Sequence, residues 1–255
     1  MATYVLVGGA WLGAWAWQDV AERLRTLGHD VRPISLTGLA EREAEGTPDT
    51  DLETHIADIV GVLEHDDLRD VILVGHSYAG VTITGAADRI PERIGLLVYC
   101  DTAPIPNGMA LADTNPPEVQ AFIQRQIDEQ GDGWRWPLPS WDDLEQKTGS
   151  SLAGISEAGL QTFRARATPH PFGSFRQALR LTHPEAAPLP KLGILCSFSE
   201  DQLRQMIAAG HPWAQCLSGP EWRFVELPTG HWPMWSEPAS LAEILHAASQ
   251  PGQAN

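Results

Sequence analysis

Short, wholly apolar runs alternate along the chain with longer stretches in which apolar residues recur every three or four positions, a pattern that predicts strands and helices in turn. Tyr4 to Val7 is apolar without interruption and stops at Gly8-Gly9, as a strand buried on both faces would. Ala16, Val20, Ala21, Leu24 and Leu27 share one helical face, and Gly28 stands where a C-cap is expected. Val31 to Leu36 predicts a second strand. Glu41 to Asp49, polar and broken by Gly46 and Pro48, predicts a loop. Thr50 with Glu53 three residues on makes a capping-box pattern, and Leu52, Ile56, Ile59, Val60 and Leu63 then lie on one face of a second helix. Val71 to Val74 leads into Gly75-His76-Ser77-Tyr78-Ala79-Gly80 and a helical stretch ending near Arg89, so strand, sharp turn and helix are expected there. Gly95 to Cys100 supplies the next strand. This order predicts parallel strands joined by right-handed crossovers.

Between Asp101 and Pro190 the pattern changes: no strand is predicted, prolines cluster, and Trp134, Trp136 and Trp141 stand among polar residues. An insertion over the sheet is the expectation. Leu192 to Phe198 and Trp222 to Leu227 restore two strands, and Leu241, Ile244 and Leu245 mark a last helix ahead of a polar tail, Gln250 to Asn255, expected to fray. No internal repeat or low-complexity block interrupts this order. A length of 255 residues and 43% apolar composition fit one α/β domain with one core.

Charge narrows the partners. Seventeen Lys and Arg against 33 Asp and Glu leave a net −16, which repels nucleic acid and anionic membrane surfaces alike. No uncharged apolar run approaches the roughly 18 residues a membrane span requires. The first residues read as a strand, without the basic start and small-residue cleavage site of a signal peptide, so a cytoplasmic protein is expected. Cys100, Cys196 and Cys216 are odd in number and form no CxxC pair, which suits reduced thiols better than a disulfide framework or a zinc site. For assembly, frequency alone points to a homodimer.

Ser77 is the strongest chemical candidate. A nucleophile on a strand-to-helix turn is pushed off the surface, while the helix N-terminus aims backbone N–H groups at developing negative charge. Small flanking residues let the backbone turn so tightly, and Gly75 and Gly80 supply them. The rival reading is a glycine-rich turn with Ser77 as a helix N-cap. His231, directly after the last predicted strand, can take the Ser77 proton and pass it to a leaving group. His55, His65 and His183, by contrast, stand in polar stretches. Gly8-Gly9 leaves the first strand with unpaired backbone groups, so the N–H of Ala10 and that of Tyr78 could together hold an oxyanion. A dinucleotide loop is the competitor, but G-x-G-x-x-G is absent and no acidic residue ends the second strand.

Val7-Gly8-Gly9-Ala10-Trp11, Gly75-His76-Ser77-Tyr78-Ala79-Gly80 and Thr229-Gly230-His231 together resemble an α/β-hydrolase, in particular bacterial esterases similar to plant methylesterases and hydroxynitrile lyases. The resemblance spans nearly the whole chain. It implies a mostly parallel central sheet flanked by helices, with a core formed by residues 1–107 and 187–255 and a helical lid over 108–186. It also implies Ser77 as nucleophile, His231 as base, Ala10 and Tyr78 as oxyanion donors, and neither cofactor nor metal. Two positions depart from the pattern: such proteins usually carry His-Gly where Gly8-Gly9 stands, and glycine where Ala79 stands.

The acid is open among three residues. In most α/β-hydrolases it follows the penultimate strand, where Ser199-Glu200-Asp201-Gln202 stands, yet that run is also an N-cap with acidic residues in its first turn. Asp101 ends the strand after the nucleophile helix, and a carboxylate there needs a partner such as an imidazole N–H. Asp101 is favoured, then Asp201, then Glu200. Trp134, Trp136, Trp141, Phe163, Phe172 and Phe175 either line the lid side of a pocket or pack its helices, while Trp11 and Trp232 adjoin the chemistry as candidate walls for substrate binding. The leading reading is a serine hydrolase acting on a small apolar or aromatic carboxylic ester. A hydroxynitrile lyase is the alternative, although that branch has Thr in the first segment and Lys after the His, against Gly9 and Trp232 here. A slow or non-catalytic small-molecule binding protein is the third reading.

Overall fold

The computed structural model of the chain describes residues 1–183 and 188–250. In chain order the elements are β1 (Thr3–Val7), α1 (Gln18–Thr26), β2 (Asp30–Ile34), α2 (Leu52–His65), β3 (Val71–His76), α3 (Ala79–Arg89) and β4 (Ile94–Cys100). Then follow α4 (Pro117–Gln130), β5 (Arg135–Trp136), α5 (Trp141–Gln146), α6 (Glu157–Arg166), β6 (His170–Pro171) and α7 (Gly173–Arg176). The chain closes with β7 (Lys191–Leu195), α8 (Glu200–Ala208), α9 (Pro212–Gln215), β8 (Trp222–Glu226), α10 (Pro233–Ser236) and α11 (Pro238–Ala248). The expected end of the lid at residue 186, and the tail beyond Gln250, lie outside the described residues.

One six-stranded sheet runs β2-β1-β3-β4-β7-β8, and every pairing in it is parallel. The inner strands β1, β3, β4 and β7 are nearly continuous in apolar residues, as strands covered on both faces are, and β3, in the middle, is buried at every residue; the edge strands β2 and β8 carry Arg32, Arg223 and Glu226. From β1 the chain moves outward to β2, then returns to the other side of β1 and proceeds through β3, β4, β7 and β8. The order therefore reverses between β1 and β3. In open α/β sheets the crevice at such a reversal, outside the carboxyl ends of the strands, receives the ligand. The segment Gly8-Gly9-Ala10 and the residue Ser77 stand on its two sides.

Several local expectations shift. The N-cap of α2 is Asp51, whose carboxylate accepts the Thr54 N–H at 2.9 Å, in place of the Thr50 and Glu53 pair. The Thr50 hydroxyl instead accepts the Thr47 N–H in the preceding turn. Within the polar stretch 41–49, residues Ala40–Glu45 form a 3-10 helix, tied down because Arg42 reaches Glu45, Asp58 and the Ser35 carbonyl. The run from Leu192 pairs only as far as Leu195, which leaves Cys196 and Ser197 outside the strand. Inside the insertion β5 and β6 form an antiparallel pair of two residues each, too short for a period-two signal and with Pro171 in one of them. Cys100 and Cys196 are buried, Cys216 is half-buried, and all three are free thiols. Among the described residues no helix is long and apolar enough to cross a membrane.

The segment between β4 and β7 grips the carboxyl edge of the sheet through its backbone. Thr168 donates its N–H to the Trp11 carbonyl at 3.1 Å. On the other side of the crevice His231 and Gly230 donate theirs to the carbonyls of Ser151 at 2.7 Å and Ala153 at 3.1 Å.

Candidate active site

Ser77 leaves β3 with φ +52°, a left-handed conformation that costs a non-glycine residue on the order of 1–3 kcal/mol and persists only where surrounding contacts enforce it. They do so here. The Ser77 N–H donates to the Cys100 carbonyl at 3.3 Å, and the Ser77 carbonyl accepts from the Thr102 hydroxyl at 2.7 Å and the Gly80 N–H at 2.9 Å. Close approach explains the glycines: a Cβ on Gly80 would lie 2.6 Å from Thr102 Oγ1, and one on Gly9 would lie 2.8 Å from Ser77 Cβ. Ala79, fully buried in the first turn of α3, fits where glycine was expected.

His231 comes from the loop after β8, and its Nε2 lies 2.9 Å from Ser77 Oγ. Its Nδ1 lies 2.6 Å from Asp101 Oδ2. Asp101, itself at φ +47°, ends β4 with its carboxylate almost wholly buried. Burial alone would raise its pKa. The His231 ring, the Ser197 hydroxyl at 2.6 Å and the N–H groups of Ser197 and Cys196 at 3.0 and 3.1 Å outweigh that and hold it at about 2. An ionised Asp101 makes Nδ1 the donor of the neutral imidazole, so Nε2 is free to accept the Ser77 O–H. Beneath the loop, His76 Nε2 donates to the His231 carbonyl at 2.6 Å. Burial, reinforced by the neighbouring His231, pushes the His76 pKa down to about 3, so that ring is neutral.

The other acid candidates are elsewhere. Ser199 caps α8 with Gln202 in a capping box, Glu200 pairs with Arg204, and Asp201 is exposed in the same turn. Neither carboxylate meets His231. What separates Asp101 from them is strand order, because β4 and β7 are neighbours and their ends meet under the His231 loop. Ser197 was hidden from sequence reasoning by the reading of Leu192 to Phe198 as one strand.

Ser77 and His231 open onto a cavity of about 250 Å³. Ala10, Tyr78, Trp11 and Trp232 all line it. Among the described residues no protein acceptor takes the backbone N–H of Ala10 or of Tyr78. Of Trp134, Trp136, Trp141, Phe163, Phe172 and Phe175, only Trp136 and Phe175 reach the cavity, and Trp136 packs edge-on against Trp11 with ring centroids 4.5 Å apart. Phe163 packs instead on Trp141, Trp232 and Trp235, Phe172 on Trp136 and Phe175, and Trp134 lies under Arg135. Thr114, Asn115, Thr148 and Ser150 add uncharged polar groups to the wall, and among the described residues the Asn115 side-chain amide has no protein partner. Among the described residues no Lys or Arg lines the cavity.

His55 departs most from its sequence reading. It is fully buried on the inner face of α2, and burial pushes its pKa down. Its Nδ1 lies 2.7 Å from the Tyr78 hydroxyl and its Nε2 lies 2.8 Å from the Thr37 carbonyl. The signal was present in its position three after Leu52 and four before Ile59, inside the apolar stripe of the helix.

A family model described as the Alpha/beta hydrolase family matches residues 4–244. A carbendazim hydrolyzing esterase of Nocardioides sp. (strain SG-4G) is 35% identical over 97% of this chain and 99% of its own. Methylesterase 9 of Arabidopsis thaliana is 27% identical over 96% of this chain and 97% of its own. Among solved structures, an extracellular alpha/beta-hydrolase from a Paenibacillus species, described as sharing structural and functional homology with tobacco salicylic acid binding protein 2, matches with TM-score 0.80. That match is 24% identical and covers 97% of this chain and 99% of the other. The chain belongs to the alpha/beta hydrolase family. Within that family it is an esterase.

Proposed function

We propose that the chain cleaves small carboxylic esters through an acyl-enzyme on Ser77. The observation that carries this reading is the continuous path Asp101–His231–Ser77, with spacings of 2.6 and 2.9 Å, opening on a cavity. Ser77 Oγ attacks the ester carbonyl as its proton passes to His231 Nε2, and Asp101 orients the ring and balances the imidazolium. The N–H groups of Ala10 and Tyr78 receive the oxyanion. His231 then returns the proton to the departing alkoxide. Water, deprotonated by the same nitrogen, releases the acid and regenerates Ser77.

Residues 108–186 act as the lid in this reading. Its Trp136 and Phe175, with Trp11 and Trp232 from the core, offer flat aromatic walls, while Asn115 and Ser150 offer hydrogen bonds. A compact aromatic ester bearing a polar ring or side group suits that mixture better than a wholly apolar one, and a relative named for carbendazim hydrolysis agrees. Lyase chemistry fits poorly, because departing cyanide is an anion and among the described residues no Lys or Arg lines the cavity to receive it. The three free thiols suit the reducing cytoplasm.

Ser77→Ala should lose turnover of p-nitrophenyl acetate at an unchanged melting temperature, and a fluorophosphonate probe should label wild-type Ser77 alone. Undiminished turnover in the alanine variant would remove the assignment. A folded wild-type protein inert to the probe would favour a receptor, and cyanide release from mandelonitrile faster than ester cleavage would favour the lyase.

A further inference from the structure

Gly8 and Gly9 have no side chain to steady the turn that presents the Ala10 N–H, and Trp11 next to it sits at φ +65°, so something else must hold this backbone. The contacts come from the inserted segment. Besides the Thr168 N–H on its carbonyl, Trp11 donates its indole N–H to the Trp136 carbonyl at 3.0 Å and its backbone N–H to His170 Nδ1 at 3.4 Å.

The proton positions around His170 follow from its partners. A backbone N–H only donates, so Nδ1 accepts. Nε2, 3.0 Å from Ser174 Oγ, therefore carries the hydrogen of a neutral ring, and the Ser174 hydroxyl passes its own to the Pro171 carbonyl at 2.7 Å. The path Trp11 N–H, His170, Ser174, Pro171 has one consistent direction. His55 is fixed in the same way: the Thr37 carbonyl requires Nε2–H, so Nδ1 accepts the Tyr78 O–H. The two rings meet edge to face at 5.6 Å, and His170 also touches the Tyr78 ring at 4.5 Å. Two buried imidazoles thus secure the two residue pairs from which the oxyanion donors project.

We infer that His170 is a positioning residue for the oxyanion donors: by accepting the Trp11 N–H it holds the Gly9-Ala10-Trp11 turn with the Ala10 N–H directed at the developing charge. This rests on the assignment of Ala10 and Tyr78 as oxyanion donors. Burial, and the nearby His55, keep the His170 pKa well below the ordinary imidazole range, which preserves the acceptor at neutral pH. A protonated ring would turn Nδ1 into a donor facing another donor.

Three variants separate positioning from packing. His170→Leu keeps an apolar body and removes the acceptor; His170→Asn places an amide oxygen near the site of Nδ1; His170→Gln places its amide near the site of Nε2. With p-nitrophenyl acetate, His170→Leu should lower kcat by roughly 10- to 100-fold while KM stays within about twofold, as expected when transition-state geometry alone is loosened. His170→Asn should recover most of that loss, and His170→Gln should not. A folded leucine variant with wild-type kcat, or equal activity of the asparagine and glutamine variants, overturns the inference. If the leucine variant does not fold, the asparagine-to-glutamine comparison decides. Loss of this inference leaves fluorophosphonate labelling of Ser77 intact, whereas failure of the esterase reading abolishes that labelling in the wild type.

Discussion

At Asp101 four donors converge on one buried carboxylate, and the direction of the proton path depends on its being ionised. Asp101→Asn would offer an N–H₂ to His231 Nδ1 and so favour the ring tautomer whose Nε2–H faces Ser77. That ring cannot take the serine proton. The expected outcome is a loss in kcat of about 10³–10⁴-fold with substrate binding preserved, the size seen when a triad imidazole is held in the wrong tautomer. Asp201→Asn, exposed on α8, should leave kcat unchanged, and steady-state kinetics on the two variants distinguish the acids directly. The sequence carries the Ser77 and His231 positions plainly, because Ser77 follows an apolar run broken by Gly75 and His231 follows the last predicted strand through Pro228-Thr229-Gly230. It leaves the acid open, because the choice turns on which strand ends are neighbours, a fact of topology with no local signature. His170 and Ser197 were illegible for the same reason: each matters through a partner more than 90 residues away in the chain.

At the scale of elements, the inner parallel strands were legible because burial on both faces leaves the centres of β1, β3, β4 and β7 apolar, whereas the boundaries depend on single hydrogen bonds. The start of α2 is an instance. Thr50 and Glu53 match the capping pattern by type, yet Asp51 wins, because its carboxylate bonds Thr54 and also accepts from Gln177 Nε2 at 2.6 Å. Gln177 in turn accepts the Glu53 N–H at 2.7 Å, so the cap of a core helix is shared with the inserted segment. Asp51→Ala should therefore cost at least the ordinary price of a lost N-cap, about 1–2 kcal/mol, with a fall in melting temperature of roughly 2–4 °C per kcal/mol in a chain of this size. Differential scanning calorimetry against Thr50→Ala provides the contrast, since Thr50 caps only a turn. The antiparallel pair of β5 and β6 was missed for a different reason. Its four residues have no periodicity to read, and the hydrogen bonds of Trp11 and the Trp134 carbonyl place them more than their own propensities do.

For the whole molecule, the carboxyl edge of the sheet rests on imidazoles that fold in the neutral state. His55, His76 and His170 are fully buried, and burial lowers the pKa of each below the ordinary value near 6.5. The unfolded chain then binds protons at these sites from about pH 6.5 downward while the folded chain does not, so stability is complete above that pH and declines as pH falls toward the folded-state values. Between pH 7 and pH 5 the His76 ring, held at about 3 in the fold, should remove about 2 kcal/mol, and His55 and His170 lower the stability further in the same direction. Asp101 acts in the same sense at a lower pH. Its depressed pKa contributes stability above the unfolded carboxylate value near 3.9, and that contribution disappears only as pH falls toward about 2. Only the lower end of the His76 window, between about pH 4 and its folded value of about 3, overlaps that of Asp101. Urea titrations at pH 7, 6 and 5 should consequently show a steep fall in unfolding free energy over a range where carboxylates are still ionised. The accompanying proton uptake on unfolding at pH 5 should reach about one per chain from His76, with further uptake at His170 and His55. A flat profile between pH 7 and 5 would mean that the rings titrate in the fold as they do in the unfolded chain, and the lowering of their pKa values by burial would be refuted.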